Sequence, residues 1–335
     1  MSGERPLRKY ADALFALRIR TGQSGNPTTD PVLFAVSSTE AKRRPVAILM
    51  KRGEELLGAV LLREQMRYGI ALRYFYACDA AGDEFVIAPP LERERCLLSC
   101  LETFGRRVPG GVISLATQAK YRMFGAGQLS SAGEGVAQYR VRLSETMDRT
   151  LAQFGSHTRR NLRYYPRNLL KRGCTFHPDL TAKQGAEASE QLVAYAEFGM
   201  TPRLMEAQRE GLARTTGSFA MGIQSETGEW LSYVAGWRQH GQTSVFSQMN
   251  HGGHKGDSLS VAMRGLLLEH EVERKQEYLA FVSYTNKFFE RMCQEDVRYD
   301  LLIAHKGWRL RALMFMVPKL LKPEHRLRQL LTMQG

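Results

Sequence analysis

The sequence lacks most of the features that mark secreted, membrane-spanning or metal-binding proteins. Its five cysteines are an odd number and show no paired spacing of the kind that holds zinc. No apolar stretch approaches the roughly 20 residues that a membrane-spanning helix needs. Residues 1–22 have no long apolar core of the signal-peptide type. We therefore expect reduced thiols, no metal, no membrane span and a cytoplasmic location.

Motifs for covalent catalysis or for reading nucleic acids are also missing. No Ser-His-Asp or Cys-His set occurs at a motif-like spacing. No pattern of an RNA-recognition, KH or zinc-finger domain is present, and the most basic segment has few aromatic residues for base stacking. These absences disfavour a nucleophilic mechanism and make nucleic acid the least favoured partner.

Acidic residues are in short supply. Forty-seven Lys and Arg residues stand against 34 Asp and Glu residues, which gives a net charge of +13. Such a surplus favours an anionic partner, which leaves open nucleic acid, an acidic glycan, a membrane surface or a phosphate-bearing cofactor. With 335 residues, of which 43% are hydrophobic, the chain is long and apolar enough for two folded domains.

The first half of the chain predicts a small α/β unit. Three apolar segments separated by glycines predict a meander of strands, at 46–50, 56–62 and 70–77. An amphipathic helix over 91–108 and a buried strand over 110–117 follow. Residues 1–36 are poorly periodic, with a loop at 21–31, and the Gly- and Ser-rich stretch 124–135 is interpreted as a linker.

The second half repeats that order. A helix over about 145–172, a short strand and helical patterns at 182–214 precede another meander, and the expected elements of the remainder are strands 217–224, 229–239 and 243–250, helix 258–275, strand 278–284 and a short helix 286–293. The shared order predicts tandem copies of one α/β unit. We divide the chain into an N-terminal segment 1–31, a domain 32–137 and a domain 138–335.

One helix of the second half is strongly cationic. Basic residues recur every four positions and form a single stripe, at Arg159, Arg163, Arg167 and Lys171. An apolar stripe of Leu162, Tyr165 and Leu169 faces the other way, and Pro166 is expected to kink or start the helix. A solvated helix face, a contact with an anionic substrate and a nucleic-acid grip all remain open, and Arg159, Arg163 and Arg167 are the candidate substrate-binding residues.

The order of meander, glycine-containing turn, helix and strand resembles the core of GNAT acyltransferases. The second half resembles their FemAB-like branch, close to the CelD/BcsL group of cellulose-biosynthesis acetyltransferases, which commonly opens this domain with an Arg-rich helix. The similarity is carried by Ser156, Arg159, Arg160, Leu162, Arg163, Arg167, Leu169 and Gly173. It covers about 144–317, whereas over 32–125 it rests on element order alone.

This resemblance implies a fold, a co-substrate and some site residues. The fold is α/β with mixed sheets, in tandem GNAT-like domains that are each a mostly antiparallel meander with flanking helices. The co-substrate is acetyl-CoA or another acyl-CoA, without a metal. In many GNAT enzymes a Tyr near the end of the last strand protonates the leaving thiolate, which implies that role for Tyr284. Asn286 opens the next helix, either beside the cofactor or as a helix cap.

The turn "NHGGHKGDS" at 250–258 is the strongest ligand candidate. It joins a strand to a helix, where backbone N–H groups and the helix dipole attract anions. Lys255 adds positive charge, and Asp257 or Ser258 is expected to cap the helix. The spacing of its glycines differs from the Q/R-x-x-G-x-G/A turn of the family, and a plain glycine-containing turn is the alternative. The expected cofactor-binding residues are Gln248, Asn250, Gly252, Gly253, Lys255, Gly256, Ser258 and Asn286.

Two histidines and a glutamate supply candidates for proton transfer. His251 and His254 lie three residues apart with no evident third ligand, which argues against a metal site. His251 or Glu229 is expected to act as the general base that deprotonates the acceptor, although each also fits a plain surface position.

Together these patterns predict an acyl-CoA-dependent N-acyltransferase that uses direct transfer. Its acceptor would be an amino-sugar, an amino acid or a polysaccharide-related compound, either a small molecule or glycan-linked, held in a cleft between the domains near the basic helix at 157–172. Two alternatives remain. One is a FemX-type transferase that takes its acyl group from aminoacyl-tRNA, and the other is a non-catalytic GNAT-like binding module.

Overall fold

The computed structural model describes residues 1–77, 85–108, 110–117, 128–195, 200–254, 257–282 and 294–305. The chain divides into two compact units, Met1–Ala137 with Val297–Gly335, and Gln138–Asp296. Among the helices within the described ranges, none is both long and apolar enough to cross a membrane.

The first unit is a sheet between two helical layers. Its helices are α1 (Glu4–Lys9), α2 (Ala11–Arg20), α3 (Pro31–Glu40) and α4 (Arg93–Arg107). Its strands are β1 (Arg43–Arg52), β2 (Glu55–Arg67), β3 (Ile70–Ala77), β4 (Val86–Ile87), β5 (Val112–Thr117) and β12 (Gln294–His305). The strand order is β1-β2-β3-β5-β12, and β4 pairs with β2. The pairing of β12 with β5 differs from the sequence expectation, which grouped residues 297–305 with the second domain.

Alternation along the strands builds the two faces of this sheet. Val60 and Leu62 of β2 pack in the cluster that contains Leu97 of α4, whereas the intervening Leu61 packs with Leu14 of α2 on the opposite face. The period of two places successive side chains on opposite faces, so each strand serves two cores.

The N-terminal helices are not evident from periodicity, because they bury charge as well as apolar surface. Arg18 is 2% exposed and its guanidinium donates to the carbonyl of Asn26 at 2.6 Å and to Thr29 Oγ1 at 2.9 Å. It also forms an ion pair with Asp30, whose other carboxylate oxygen caps α3 by accepting from the N–H groups of Val32 and Leu33. The expected loop at 21–31 is thus a buried polar connection.

The second unit is also a sheet between helices. Its helices are α5 (Met147–Ala152), α6 (Ser156–Lys171), α7 (Ala182–Leu192), α8 (Pro202–Ala213) and α9 (Leu259–Glu273). Its strands are β6 (Gln128–Arg142), β7 (Thr175–His177), β8 (Ser218–Gln224), β9 (Trp230–Gln239), β10 (Gln242–Asn250) and β11 (Tyr278–Phe281), in the order β6-β11-β10-β9-β8-β7. The linker expected at 124–135 is wrong from Gln128 onward, because strand β6 begins there.

The helices of this unit divide between the two faces of its sheet. Leu162 of α6 and Leu267 of α9 pack against one face with Val234, whereas Leu192 of α7 and Tyr233 belong to the cluster on the other face. The neighbours Tyr233 and Val234 therefore serve opposite cores, as strand geometry requires.

Helices α6 and α9 approach closely because a proline faces a glycine. Helix α6 begins at Ser156 and continues through the buried Pro166, so the helix start expected at Pro166 is wrong, and the expected kink stays a prediction. Pro166 has no N–H for the carbonyl of Leu162, one turn earlier. A Cβ on Gly265 of α9 would lie 2.4 Å from that carbonyl oxygen and 2.7 Å from Pro166 Cγ. Only glycine leaves room for this crossing.

A buried ion pair fixes α9 to the sheet. Glu271 of α9 is fully buried and accepts from Arg238 of β9, with Arg238 Nη2 at 2.8 Å and Nε at 3.1 Å and 3.2 Å from the carboxylate oxygens. The hydroxyl of Thr243 donates to the same carboxylate. Every oxygen of this buried acid is therefore satisfied.

Both units follow one plan. In each, an antiparallel meander leads into a helix, and the next strand pairs parallel with the last strand of the meander, β5 with β3 and β11 with β10. A parallel neighbour requires such a crossover, which α4 and α9 provide. The expected tandem, mixed α/β fold is confirmed.

Candidate functional site

The described pairing between β10 and β11 stops before β10 ends. Their parallel pairing runs from Gln242 and Tyr278 to Val245 and Phe281, and one further bond joins the Val282 N–H to the Val245 carbonyl. Strand β10 has a bulge after Val245 and continues to Asn250 along β9. On the side away from β9, the backbone of 246–250 has no strand partner among the described residues.

The turn after β10 is held by a carboxylate from the start of β9. Glu229 Oε1 lies 3.1 Å from His251 Nε2, and Glu229 Oε2 lies 3.9 Å from His254 Nε2. The two residues proposed for proton transfer are therefore in direct contact, with Glu229 the more exposed partner.

The hydrogen bonds of His251 define its tautomer. The N–H of Gly253 donates to His251 Nδ1 at 3.1 Å, so in the neutral imidazole the proton resides on Nε2 and is donated to Glu229. Tyr195 packs on the same ring, with 4.2 Å between the ring centroids. A Cβ on Gly252 would come within 2.9 Å of Tyr195 Cδ1, so this glycine is needed for the close approach. His251 thus orients Glu229, and its two nitrogens are occupied.

The end of the turn is tied to α6 by charge. Asp257 Oδ2 lies 3.1 Å from His254 Nδ1, and Arg172, just after α6, donates to Asp257 Oδ1. The hydrogen bond from Arg172 is the main cause that lowers the pKa of the Asp257 carboxyl, with a further contribution from His254. The expectation that Asp257 or Ser258 caps α9 is wrong. Ser258 occupies the cap position in a left-handed conformation, with φ of 47°, and its side chain makes no capping bond.

Several N–H groups of the turn form hydrogen bonds within the turn. The N–H of Gly253 bonds His251 Nδ1, that of His254 bonds the carbonyl of His251, and that of Asp257 bonds the carbonyl of His254. At the first turn of α9, the N–H groups of Leu259 and Ser260 have no acceptor within the described ranges. An anion would find its free donors there, at the positive end of the helix dipole.

Two expected cofactor-binding side chains belong to the framework of the site. Gln248 Nε2 donates to the carbonyl of Ser260 at 3.3 Å, and Gln248 Oε1 accepts from Arg264 at 3.3 Å. Asn250 Oδ1 accepts from the hydroxyl of Ser232 at 2.8 Å. These contacts attach β10 to α9 and β9. Both side chains therefore fix the end of β10 in position.

The cationic stripe of α6 lines a groove of about 590 Å³. The basic residues along it are Arg159, Arg160, Arg163, Arg167 and Lys171. Arg163 is paired with Asp148. In the part of the chain that the structure describes, Arg159, Arg167 and Lys171 have no carboxylate partner, so most of the charge of the groove is uncompensated. Arg172, one residue past α6, joins this helix to the turn.

The structure brings together Glu229, His251 and the ends of the turn, but it does not place every expected residue. Lys255, Gly256, Tyr284 and Asn286 lie outside the described residues. No sequence signal marks Tyr195, which lies 56 positions before His251 and belongs to no motif. The ion pair of Asp257 with Arg172 was also not expected, since Asp257 was a candidate helix cap.

Comparison with known proteins shows similarity only at the level of structure. No family model matches the sequence. No curated protein matches it either. The solved structure of L-PGS from Bacillus licheniformis superposes with a TM-score of 0.54 at 13% identity, over 92% of this chain and 96% of that one. The C-terminal domain of a putative lysylphosphatidylglycerol synthetase from Agrobacterium fabrum gives 0.54 at 10% identity, over 96% and 98%. A tandem GNAT protein from the clavulanic acid pathway gives 0.40 at 12% identity, over 77% and 82%.

The two structures with a TM-score of 0.54 are the ones that bear on the fold of this chain. At such low identity they establish the fold, whose repeated meander, helix and parallel strand are described above. This chain therefore shares its fold with those two synthetase structures.

Proposed function

We propose that the protein is an acyl-CoA-dependent N-acyltransferase, with acetyl-CoA as the expected donor. The observation that carries the proposal is that β10 continues beyond its described pairing with β11, so that 246–250 present backbone groups with no described strand partner. The pantetheine arm of a coenzyme A thioester is an extended chain with amide groups, and such a chain can bond to an open strand edge as an added strand does.

The pyrophosphate of the donor would lie at the start of α9. Leu259 and Ser260 offer N–H groups there, with the helix dipole behind them. Arg172 balances the carboxylate of Asp257, which would otherwise oppose a phosphate. Lys255 and Gly256 of the same turn remain candidates for this contact.

The transfer is a single displacement at the thioester carbonyl. The acceptor amine attacks the carbonyl carbon, so a C–N bond forms while the C–S bond breaks. Glu229 takes the amine proton, held in place by His251, whose Nε2 lies 3.1 Å away. The leaving thiolate takes a proton from Tyr284, the role that the GNAT resemblance implies. The products are an amide and free coenzyme A.

The acceptor would carry an anionic group. Among the described residues, Arg159, Arg167 and Lys171 of the α6 groove have no carboxylate partner, and successive residues of this stripe rise about 6 Å along the helix. An amino-sugar or amino-acid derivative with a phosphate or carboxylate matches this charge, whether it is free or glycan-linked.

The donor site is tested by isothermal titration of the full chain with acetyl-CoA. Ser260→Asp places a carboxylate beside the free N–H groups, and we expect it to weaken binding about tenfold or more. Ser260→Asn is the matched neutral control. An acidic residue in the first turn does not destabilise a helix, so the loss cannot be attributed to unfolding. If neither acetyl-CoA nor longer acyl-CoAs bind the wild type, the proposal is wrong.

A second candidate takes the acyl group from aminoacyl-tRNA, and the cationic groove of α6 favours it. A polyanion would engage several of its five basic residues at once, and the net charge of +13 would assist the encounter. Binding of tRNA should then fall steeply with salt and be weakened by Arg160→Gln with Arg167→Gln. A chain that binds neither acyl-CoA nor tRNA would fit a non-catalytic module.

A further inference from the structure

The hairpin between β2 and β3 ends in an apolar tip that is open to solvent. Tyr68 is 90% exposed, Ile70 67% and Leu72 44%. Further along the same strands Leu62 and Phe75 are buried in the core of the first unit, so the exposure is confined to the tip. Clusters of exposed apolar side chains mark surfaces that contact a partner.

The backbone of this tip is strained because a tyrosine occupies a left-handed position of the turn. Tyr68 has φ of 50° and Gly69 has φ of 77°, so both central residues of the turn are left-handed, as in a type I′ hairpin turn. Asn, Asp or Gly fit the first of these positions, whereas a tyrosine there is disfavoured. The ring gains no burial in return, apart from the guanidinium of Arg67, 5.4 Å from its centroid. Strain that persists without a structural benefit points to a function.

Cations surround the apolar tip. We define the hairpin end as residues 40–44 and 64–73, which the register brings together because Arg43 pairs with Gln65. Its basic residues are Lys42, Arg43, Arg44, Arg67 and Arg73. Its acidic residues are Glu40, which ends α3, and Glu64, which is buried against Arg44. The exposed charge of the hairpin end is therefore predominantly positive.

We propose that the hairpin end docks on the surface of an anionic lipid bilayer. An aromatic ring and two aliphatic side chains at the tip suit the boundary between headgroups and acyl chains, and a rim of Lys and Arg suits anionic headgroups. A nucleic-acid partner would use the cations and the ring but would leave Ile70 and Leu72 in water. The proposal concerns the first unit and does not depend on the proposed transferase activity.

The test is co-sedimentation of the full chain with vesicles, of phosphatidylcholine alone and of phosphatidylcholine mixed with phosphatidylglycerol. We expect binding to the anionic vesicles that weakens as salt increases, and little binding to the zwitterionic ones. Absence of binding to both kinds of vesicle would overturn the proposal.

The decisive variant is Tyr68→Asn. Asparagine followed by glycine is the favoured pair for this turn, so the variant should fold at least as well as the wild type. Because it removes one buried ring from the bilayer contact, vesicle affinity should fall about tenfold. Ile70→Thr, which keeps a β-branched residue in the strand, should also weaken binding.

Two controls separate the hairpin from other surfaces. Leu91→Asn removes a side chain that is 99% exposed elsewhere in the same unit, and should leave vesicle binding unchanged. Arg160→Gln with Arg167→Gln discharges the groove of α6 and should also leave it largely unchanged. Loss of binding in the α6 variant with none in Tyr68→Asn would overturn the proposal. So would lipid-independent self-association of the wild type that Tyr68→Asn abolishes, because a second copy would then occupy the tip.

Discussion

Removing Glu271 should destabilise the second unit more than any substitution on the exposed face of the same helix. Its carboxylate is fully buried and accepts from both Arg238 and Thr243. Glu271→Ala leaves the Arg238 guanidinium, whose side chain is 13% exposed, without its counter-charge. Breaking one partner of a buried pair costs about 3–5 kcal/mol.

The expected loss of stability is large enough to measure by thermal unfolding. For a unit of this size each kcal/mol shifts the Tm by roughly 2–4 °C, so Glu271→Ala should lower it by about 6–20 °C. Calorimetry of the full chain shows whether the two units unfold separately. Glu273→Ala, at an exposed position two residues along α9, is the matched control and should change stability by less than about 0.5 kcal/mol.

A double variant separates the value of the pair from the penalty for breaking it. Arg238→Met with Glu271→Leu replaces both charges by apolar groups of similar size, and should be close to the wild type or more stable. The coupling energy of the cycle should then be strongly favourable. If Glu271→Ala lowers the free energy of unfolding by less than about 1 kcal/mol, or if the double variant is as unstable as the single one, the reasoning is refuted.

Gly265→Ala should destabilise by about 1–3 kcal/mol, since its Cβ would lie 2.4 Å from the Leu162 carbonyl oxygen, and urea unfolding measures it. Gly185→Ala in α7 should instead stabilise by about 0.4–1 kcal/mol, because its Cβ meets nothing nearer than 3.9 Å. If both glycine substitutions changed the free energy of unfolding in the same direction, the packing argument would be contradicted. Asp257 has a lowered pKa, so its contribution to stability is present above about pH 4 and is lost as the pH falls through the folded value. Wild type and Asp257→Asn should therefore differ in urea unfolding by a constant amount above about pH 4 and converge as acid protonates the carboxyl; a gap that widens in acid would reverse the assigned sign.

Sequence patterns predicted the fold where side chains alternate between core and solvent. The meanders around Leu62 and Val234 follow this rule, and so does α6, whose apolar stripe contains Leu162. The N-terminal helices were not predicted, because α2 buries a charged residue, Arg18. The partners of Arg18 come from a polar loop. The start of strand β6 was not predicted, because a Gly- and Ser-rich segment becomes a strand only through tertiary pairing. A local sequence pattern does not contain this pairing.

The candidate site was predictable as a location and not as a set of contacts. A glycine-rich turn between a strand and a helix predicts an anion site, which stays a prediction, and Glu229 and His251 were both proposed for proton transfer. Their contact, and the arrival of Tyr195 on the histidine ring, depend on how distant segments pack. The pairing of Asp257 with Arg172 joins residues 85 positions apart, and no sequence spacing announces it.

If the protein is the proposed transferase, the close crossing of α6 and α9 would restrict the length of its acceptor. With Gly265 against the Leu162 carbonyl at one point and Arg172 bound to Asp257 at another, the cationic groove cannot slide relative to the turn that begins α9. The crossing would therefore keep the distance between the groove and the turn constant. An acceptor whose negative group is anchored on α6 would bring its amine to the thioester only if its reach matches that fixed separation, so that homologues one carbon longer or shorter would bind and yet react slowly.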